Sequence, residues 1–83
     1  MKLITVEVLC PSTSRSYDYR LPVKMQAGDI KKQIIEDIRI FEGISDLFKN
    51  EDKINLYCEN GCIADSDTPE NTGVQNGDKI MII

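Results

Sequence analysis

Two segments near the start of the chain alternate between apolar and polar residues. Residues 2–9 (KLITVEVL) and residues 16–21 (SYDYRL) follow the two-residue period of a half-buried strand, and both are rich in β-branched or aromatic residues. The segment between them, CPSTSR at residues 10–15, has the composition of a turn. The pattern predicts a β-hairpin, one face of which carries Ile4, Val6, Val8, Tyr17, Tyr19 and Leu21.

The hydrophobic period changes to that of a helix at Asp29. Apolar residues then recur with the spacing of one helical face, at Ile30, Ile34, Ile35, Ile38 and Phe41. Asp29 is a suitable N-cap and Gly43 suits the position just after the last turn, so the predicted helix has about three to four turns. Its remaining surface is expected to carry Lys31, Lys32, Glu36, Asp37 and Arg39.

Short alternating segments return after the helix. Residues 44–53 are irregular, and Leu47 and Phe48 are expected to anchor this loop. Residues 54–58 (INLYC) and 62–64 (CIA) predict two strands around a Glu-Asn-Gly turn. In the first of these strands, the residues expected to face inward are Ile54 and Leu56.

The last part of the chain reads as a loop followed by a strand. The segment 64–73 (ADSDTPENTG) has loop composition, and residues 79–83 (KIMII) alternate with Ile80 and Ile82 inward. The order β-β-α-β-β-β predicts a single α+β domain of residues 1–83, with a mixed sheet of four to five strands packed on one amphipathic helix. If the last strand lies parallel beside the first, the arrangement is a β-grasp.

Composition excludes several classes of function. The chain of 83 residues carries 14 acidic and 10 basic side chains, so it lacks the concentrated basic surface that a nucleic-acid partner requires. No segment approaches the roughly 18 apolar residues of a membrane span, and no secretory signal precedes the first strand. We therefore expect a soluble cytoplasmic protein without direct membrane insertion.

The sequence contains no histidine, and this limits the catalytic and metal-binding chemistry available to the chain. Without it the chain lacks the commonest general base and the usual zinc partner of sparse cysteines. The three cysteines are an odd number, which favours reduced thiols over a disulfide framework. We expect no enzyme activity, no catalytic residues, no cofactor and no metal.

Two weaker signals each allow two interpretations. Cys58 and Cys62 bracket a turn, and they could form a disulfide or half of a metal site, or be two small hydrophobic residues. The acidic residues Asp65, Asp67 and Glu70 could bind calcium, but the spacing of a calcium loop is absent, and a solvated loop is the simpler interpretation.

The sheet face that the single helix leaves uncovered is the candidate binding surface. Its mixture of tyrosine, methionine and charged groups is typical of a protein-binding patch, although an ordinary solvated face has a similar composition. The residues predicted to lie on it are Leu3, Thr5, Asp18, Arg20, Tyr57, Lys79, Met81 and Ile83.

Three segments resemble ubiquitin and its β-grasp relatives. GVQNGDKIMII at 73–83 resembles the closing turn and strand of that family, and the similarity extends over essentially the whole chain. SYDYRL and INLYCENG are most similar to the second and third strands of the bacterial YukD/EsaB family, which is associated with type VII secretion. Pro69 departs from the leucine that is common before the final turn, which bears on the packing of the 65–72 loop.

The resemblance implies a protein that binds a protein partner. The YukD/EsaB similarity further implies that the partner is a component of the secretion apparatus. It also implies a position beside a membrane-bound secretion complex and an accessory or regulatory role. The oligomeric state stays open.

The end of the chain bears on conjugation. A ubiquitin-like modifier or sulfur carrier needs a flexible Gly-Gly tail, whereas this sequence ends in Met81, Ile82 and Ile83. We therefore expect a non-conjugating interaction module. Two alternatives stay open: a modifier or sulfur carrier whose tail lies beyond the given sequence, and a stand-alone regulatory binding subunit unrelated to secretion.

Overall fold

Five strands and two helices follow one another in the computed structural model, which describes residues 2–50 and 53–83. The elements are β1 (Leu3–Cys10), β2 (Arg15–Pro22), α1 (Ala27–Glu42), β3 (Leu56–Cys58), β4 (Gly61–Ile63), α2 (Pro69–Thr72) and β5 (Lys79–Ile82). The order of strands and the long helix confirm the α+β prediction. Strand bounds differ from the predicted ones by up to two residues, and the short helix α2 was not predicted.

The five strands form one mixed sheet in the order β2-β1-β5-β3-β4. β1 and β5 run parallel, with Val8 opposite Ile80, and the remaining neighbours are antiparallel. The predicted β-grasp arrangement is therefore confirmed. β2 and β4 are the edges of the sheet, and they differ in length, with eight and three residues respectively.

The core lies between α1 and the face of the sheet that the helix covers. The most deeply buried side chains come from both layers, and they include Val8, Ile34, Ile35, Ile38 and Ile82, each with 0% exposure. This packing confirms the predicted inward positions of the first and last strands. Ile54, also predicted inward, is only half-buried and packs against the edge of the core.

Helix α1 begins three residues earlier than an N-cap at Asp29 requires, so the assignment of Asp29 as N-cap was wrong. Gln26 occupies the cap position without a side-chain hydrogen bond. Instead, the backbone carbonyls of Asp67 and Asp65 accept the N–H groups of Ala27 and Gly28 at 2.7 and 2.9 Å. A capping partner that is distant in sequence thus replaces the local cap that the pattern predicted.

A glycine stands where the loop comes close to the helix. A Cβ atom at Gly28 would lie 3.2 Å from Cβ of Asp65, which is tighter than most Cβ contacts, so a larger residue would need the loop to shift by a few tenths of an ångström. At the other end of the helix the prediction was correct, because Gly43 adopts the left-handed conformation, and its N–H donates to the last carbonyls.

Lys31 was predicted to lie on the helix surface, and this was wrong because its side chain is buried. Its ammonium group donates to the carbonyl oxygen of Ile54 at 3.1 Å and to a carboxylate oxygen of Asp65 at 3.2 Å. The aliphatic stem packs within the fold while the charged end joins α1 to the two segments that flank β3 and β4.

The C-terminal turn of α1 departs from the predicted apolar stripe at Phe41. This ring is 69% exposed and meets the Tyr17 ring of the edge strand β2 edge-on, at 5.9 Å between centroids. Arg39, another predicted surface residue, donates to the backbone carbonyls of Leu47 and Phe48 at 2.6 and 2.8 Å.

The loop after α1 is anchored as predicted. Leu47 and Phe48 are half-buried and pack against the core. Residues 51 and 52 of the predicted 44–53 loop lie outside the described residues.

Helix α2 occupies part of the segment that was predicted to be only a loop. Thr68 is its N-cap, and a reciprocal pair of hydrogen bonds with Asn71 forms a capping box. Pro69 stands at the first helical position, where its missing N–H costs nothing, and its ring is buried. The departure from leucine at this position is thus accommodated by a helical turn.

Replacing Lys31 by alanine should destabilise the protein by about 1–3 kcal/mol, because the substitution leaves the carbonyl of Ile54 without its donor and opens space in the fold. Urea unfolding would measure the loss. Lys32→Ala is the matched control, since Lys32 is an exposed neighbour on the same helix, and its effect should stay within about 0.5 kcal/mol. Equal losses in the two variants would contradict the role assigned to Lys31.

Alkaline pH should destabilise the fold through Tyr19. Burial, together with the negative charge of the neighbouring Asp37 carboxylate, raises the pKa of Tyr19 to about 12. The unfolded chain releases this proton near pH 10, at about the ordinary value. The folded state therefore binds more protons between these pH values, so stability is unaffected below about pH 10 and falls as the pH approaches about 12.

Allowing for the partial exposure of Tyr19, we expect this decline to reach about 2 kcal/mol. Urea unfolding at a series of pH values should show a shallower decline for Tyr19→Phe than for the wild type. Tyr57→Phe, on the opposite face of the sheet, should retain the wild-type decline. An unchanged profile for Tyr19→Phe would contradict the assignment.

Candidate functional site

The open face, which is the face of the sheet opposite α1, carries a row of side chains that crosses all five strands. Strand register fixes the row, because residues paired across neighbouring strands project to the same side about 5 Å apart. From one edge to the other the row consists of Ser16, Leu9, Met81, Tyr57 and Cys62.

The middle of this row forms the apolar patch, which we define as Leu9, Tyr57 and Met81. Leu9 and Met81 are half-buried, and Tyr57 is 37% exposed. Two strand pairings hold the three side chains in place, since Met81 lies opposite both Leu9 and Tyr57. The patch is therefore preorganised by the backbone of three strands.

The structure places all eight predicted site residues on the open face but does not bring all of them together. Lys79 lies on β5 before Met81, and Ile83 directly follows β5 and exchanges backbone hydrogen bonds with Asn55 at 2.8 and 3.0 Å. Thr5 lies opposite Arg20, nearer the other end of β1. Leu3 is farther still, about 20 Å along the strand from the apolar patch.

Leu9 is the patch residue that sequence reasoning missed. The alternation of the first strand already placed Leu3, Thr5 and Glu7 outward, and Leu9 is the next position in that series. Its importance comes from register, because the parallel pairing with β5 puts it beside Met81.

A row of charged side chains lies next to the apolar patch. Glu7 stands opposite Lys79 on one side and opposite Asp18 on the other. Lys79 is a neighbour of opposite charge to Glu7, and Asp18 is a neighbour of like charge. The patch is thus bordered by charges of both signs, which is the arrangement of an interface with an apolar centre and a polar rim.

A shallow depression of about 490 Å³ opens beside the patch. Tyr57, Lys79 and Met81 contribute to its wall, and the turn before β5 forms one end. That turn is fixed to β1, because Asn76 accepts the N–H of Thr5 and Gly77 donates to the Thr5 carbonyl, at 2.8 and 2.7 Å. The end of the depression that this turn forms is therefore held in place by β1.

The cysteine pair lies on two different sides of the sheet. Cys58 pairs with Gly61 and packs against the core, whereas Cys62 pairs with Tyr57 and points to the open face. Directly opposed residues share a face and consecutive residues alternate, so the two sulfur atoms point apart. The register thus contradicts a disulfide between Cys58 and Cys62 and supports the interpretation as two separate small side chains.

Within residues 2–50 and 53–83, no group of three or more cysteine, aspartate or glutamate side chains is placed to hold a metal ion. None of the helices in these residues is long and apolar enough to cross a membrane.

Solved structures identify the fold. Ubiquitin from Caldiarchaeum subterraneum superposes with a TM-score of 0.72 at 14% identity, over 99% of this chain and 92% of that one. The fold is ubiquitin-like. The N-terminal ubiquitin-like domain of the 4931431F19Rik protein gives a TM-score of 0.71 at 20% identity, with 98% and 73% of the two chains covered.

A third similar structure is ATBAG1, solved in complex with HSP70. It gives a TM-score of 0.70 at 15% identity over 96% of this chain, which spans 39% of that protein. No family model matches the sequence, and no curated protein matches it. The ubiquitin-like fold is thus shared across low sequence identity, and the function has to be argued from the surface of this chain.

Thiol labelling should separate the three cysteines of this ubiquitin-like domain. Cys62 is exposed and should react first, the half-buried Cys58 should follow, and Cys10, with 1% exposure, should react only on unfolding. Mass spectrometry after timed alkylation would measure this order, and Cys62→Ser should remove the fast phase. Formation of a disulfide between Cys58 and Cys62 in the folded protein would contradict the register of β3 and β4.

Proposed function

We propose that this ubiquitin-like domain is a non-catalytic, non-conjugating interaction module that docks through its open face onto a protein partner. The observation that carries the proposal is the apolar patch, in which Met81 is held between Leu9 and Tyr57 by strand register. A patch fixed in this way presents its side chains from a backbone that does not have to be ordered on binding.

The chemistry of the patch suits protein recognition. Tyrosine is among the residues that contribute most to binding energy at interfaces, and methionine adapts its shape to a partner. The neighbouring charges of Glu7 and Lys79 would set the orientation of the partner. A partner that presents an apolar side chain flanked by charges of both signs would match this surface.

The open face offers little for catalysis. Tyr57 and Lys79 line an open depression, and the chain has no histidine to act as a general base beside them. Both are better suited to contact a partner surface, which supports binding as the activity of this face.

We further propose that the partner belongs to a type VII secretion apparatus, in the cytoplasm beside its membrane complex. The support is the similarity of SYDYRL and INLYCENG to the YukD/EsaB family. In the structure these segments lie in β2 and in β3 with the turn that follows it, and they supply Asp18, Arg20 and Tyr57 to the open face. ATBAG1, which contains a similar fold, was solved in complex with HSP70. This complex supports a protein as the class of partner.

Capture from an extract of the source organism would test the docking face. The immobilised wild-type domain should recover a partner, identified by mass spectrometry, and the double variant Tyr57→Ala with Met81→Ala should reduce recovery at least about tenfold because it removes the centre of the patch. Ile40→Ala is the control, since Ile40 is 73% exposed but lies on α1.

Equal recovery by wild type and double variant would remove the open face from the proposal. A partner outside the secretion apparatus would overturn the secretion role and leave the binding face intact. The native protein provides a separate test of conjugation, because an intact mass that shows a Gly-Gly extension after Ile83 would overturn the non-conjugating assignment.

A further inference from the structure

Strand β2 forms a long edge of the sheet, and one hydrogen bond fixes which of its backbone groups face outward. The N–H of Val23 donates to the carbonyl of Lys2 at 3.1 Å. In an antiparallel ladder hydrogen-bonded pairs recur at every second residue, so the β2 residues bonded to β1 are the odd-numbered ones from 15 to 21. The even-numbered residues direct their backbone groups away from β1.

The bonds on the other side of β1 agree with this assignment. The carbonyl of Thr5 accepts from Gly77, and the N–H of Glu7 donates to Asp78, at 2.7 and 2.9 Å. Thr5 and Glu7 therefore point their backbone groups towards β5, and their opposite residues on β2 point theirs outward. We call the outward groups of Ser16, Asp18 and Arg20 the β2 edge.

The β2 edge is unoccupied by any other described part of the chain. The sheet order ends at β2, and residues 23–50 and 53–83 donate no backbone hydrogen bond to these three residues and accept none from them. Pro22 follows in the series and has no N–H, so it offers only a carbonyl. Unpaired edges of this length readily pair with another strand.

The charges on the edge are self-complementary. Asp18 and Arg20 are both exposed, are two residues apart, and project from the same face. If two copies of β2 pair antiparallel about a two-fold axis at Tyr19, Asp18 of each copy lies directly opposite Arg20 of the other. Both residues belong to the outward series, so each such pair exchanges two backbone hydrogen bonds.

We propose that this ubiquitin-like domain forms a two-fold symmetric homodimer through antiparallel pairing of its β2 edges, in the register that places Asp18 opposite Arg20. On each side of the axis the N–H of Ser16 donates to the carbonyl of Pro22 in the other copy. Because Pro22 has no N–H, this pair leaves no backbone donor without an acceptor. On the helix side, the half-buried Tyr19 side chains of the two copies become cross-strand neighbours.

Electrostatics selects this register over its neighbours. An axis at Asp18 would place two carboxylates opposite each other, and an axis at Arg20 would place two guanidinium groups opposite each other, both of which are repulsive. Within its own sheet Asp18 already faces Glu7, a like charge. The second copy thus supplies the opposite charge that Asp18 lacks in the monomer.

The proposed dimer has a defined geometry. A two-fold axis perpendicular to the joined sheets keeps both copies of α1 on one side and both open faces on the other. The two β5 strands are then separated by five strand spacings, about 24 Å. The two apolar patches would face one partner surface, which would allow bivalent docking.

Reversing the charge at Asp18 or at Arg20 tests the proposal directly. Because one strand edge buries little surface, we expect a weak dimer that appears with rising concentration in sedimentation equilibrium. Asp18→Arg and Arg20→Asp should each weaken self-association at least about tenfold, since each places like charges opposite each other. An equimolar mixture of the two variants should restore association, because every pair across the axis is then of opposite charge.

Matched controls separate this pairing from an effect of net charge. Lys32→Glu and Glu36→Arg change the net charge by the same amounts as Arg20→Asp and Asp18→Arg, on the exposed side of α1, and should associate as the wild type does. Circular dichroism would verify that each variant is folded. Amide exchange should show protection of Asp18 and Arg20 N–H groups that increases with wild-type concentration.

Three results would overturn the proposal. One is a wild-type protein that stays monomeric over the whole concentration series, and another is undiminished association of both single variants. The third is a mixture of folded variants that associates no more strongly than each variant alone.

Discussion

The parallel pairing of β1 with β5 is the constraint on which the rest of the structure depends. Parallel strands cannot be joined by a tight turn, so the chain between them has to cross over, and α1 makes that crossing while it covers one face. The same register, with Val8 opposite Ile80 and Leu9 opposite Met81, places one pair under the helix and the other on the open face. The core and the candidate binding surface therefore both depend on the pairing of β1 with β5.

Local patterns predicted the elements well, because alternation and helical spacing are properties of neighbouring residues. The predictions failed where a distant segment supplies the partner. Gln26 rather than Asp29 precedes α1 because carbonyls from the loop after β4 cap the helix. Lys31 is buried because its ammonium group has two distant acceptors, the Asp65 carboxylate in that loop and the Ile54 carbonyl before β3. Helix α2 is the exception, since the capping box of Thr68 and Asn71 was visible in the sequence.

The sequence predicted which residues lie on the face of the candidate site, but not which of them are neighbours there. Alternation alone indicates that Thr5, Tyr57 and Met81 point away from the helix, and the structure agrees. Which of them are neighbours depends on strand order and register, which no single strand encodes. Leu3 and Leu9 illustrate the difference, because both project from the open face of β1 and only Leu9 lies within reach of β5.

The unequal edges of the sheet limit how far it can extend. A sheet with two long free edges can add copies at both ends and grow into a fibre. Here β2 offers eight residues but β4 only three, and its Gly61 has a positive φ of 116° that departs from strand geometry. A pairing that consumes both copies of β2 leaves only these short edges exposed. Assembly would therefore stop at two copies instead of continuing into a fibre.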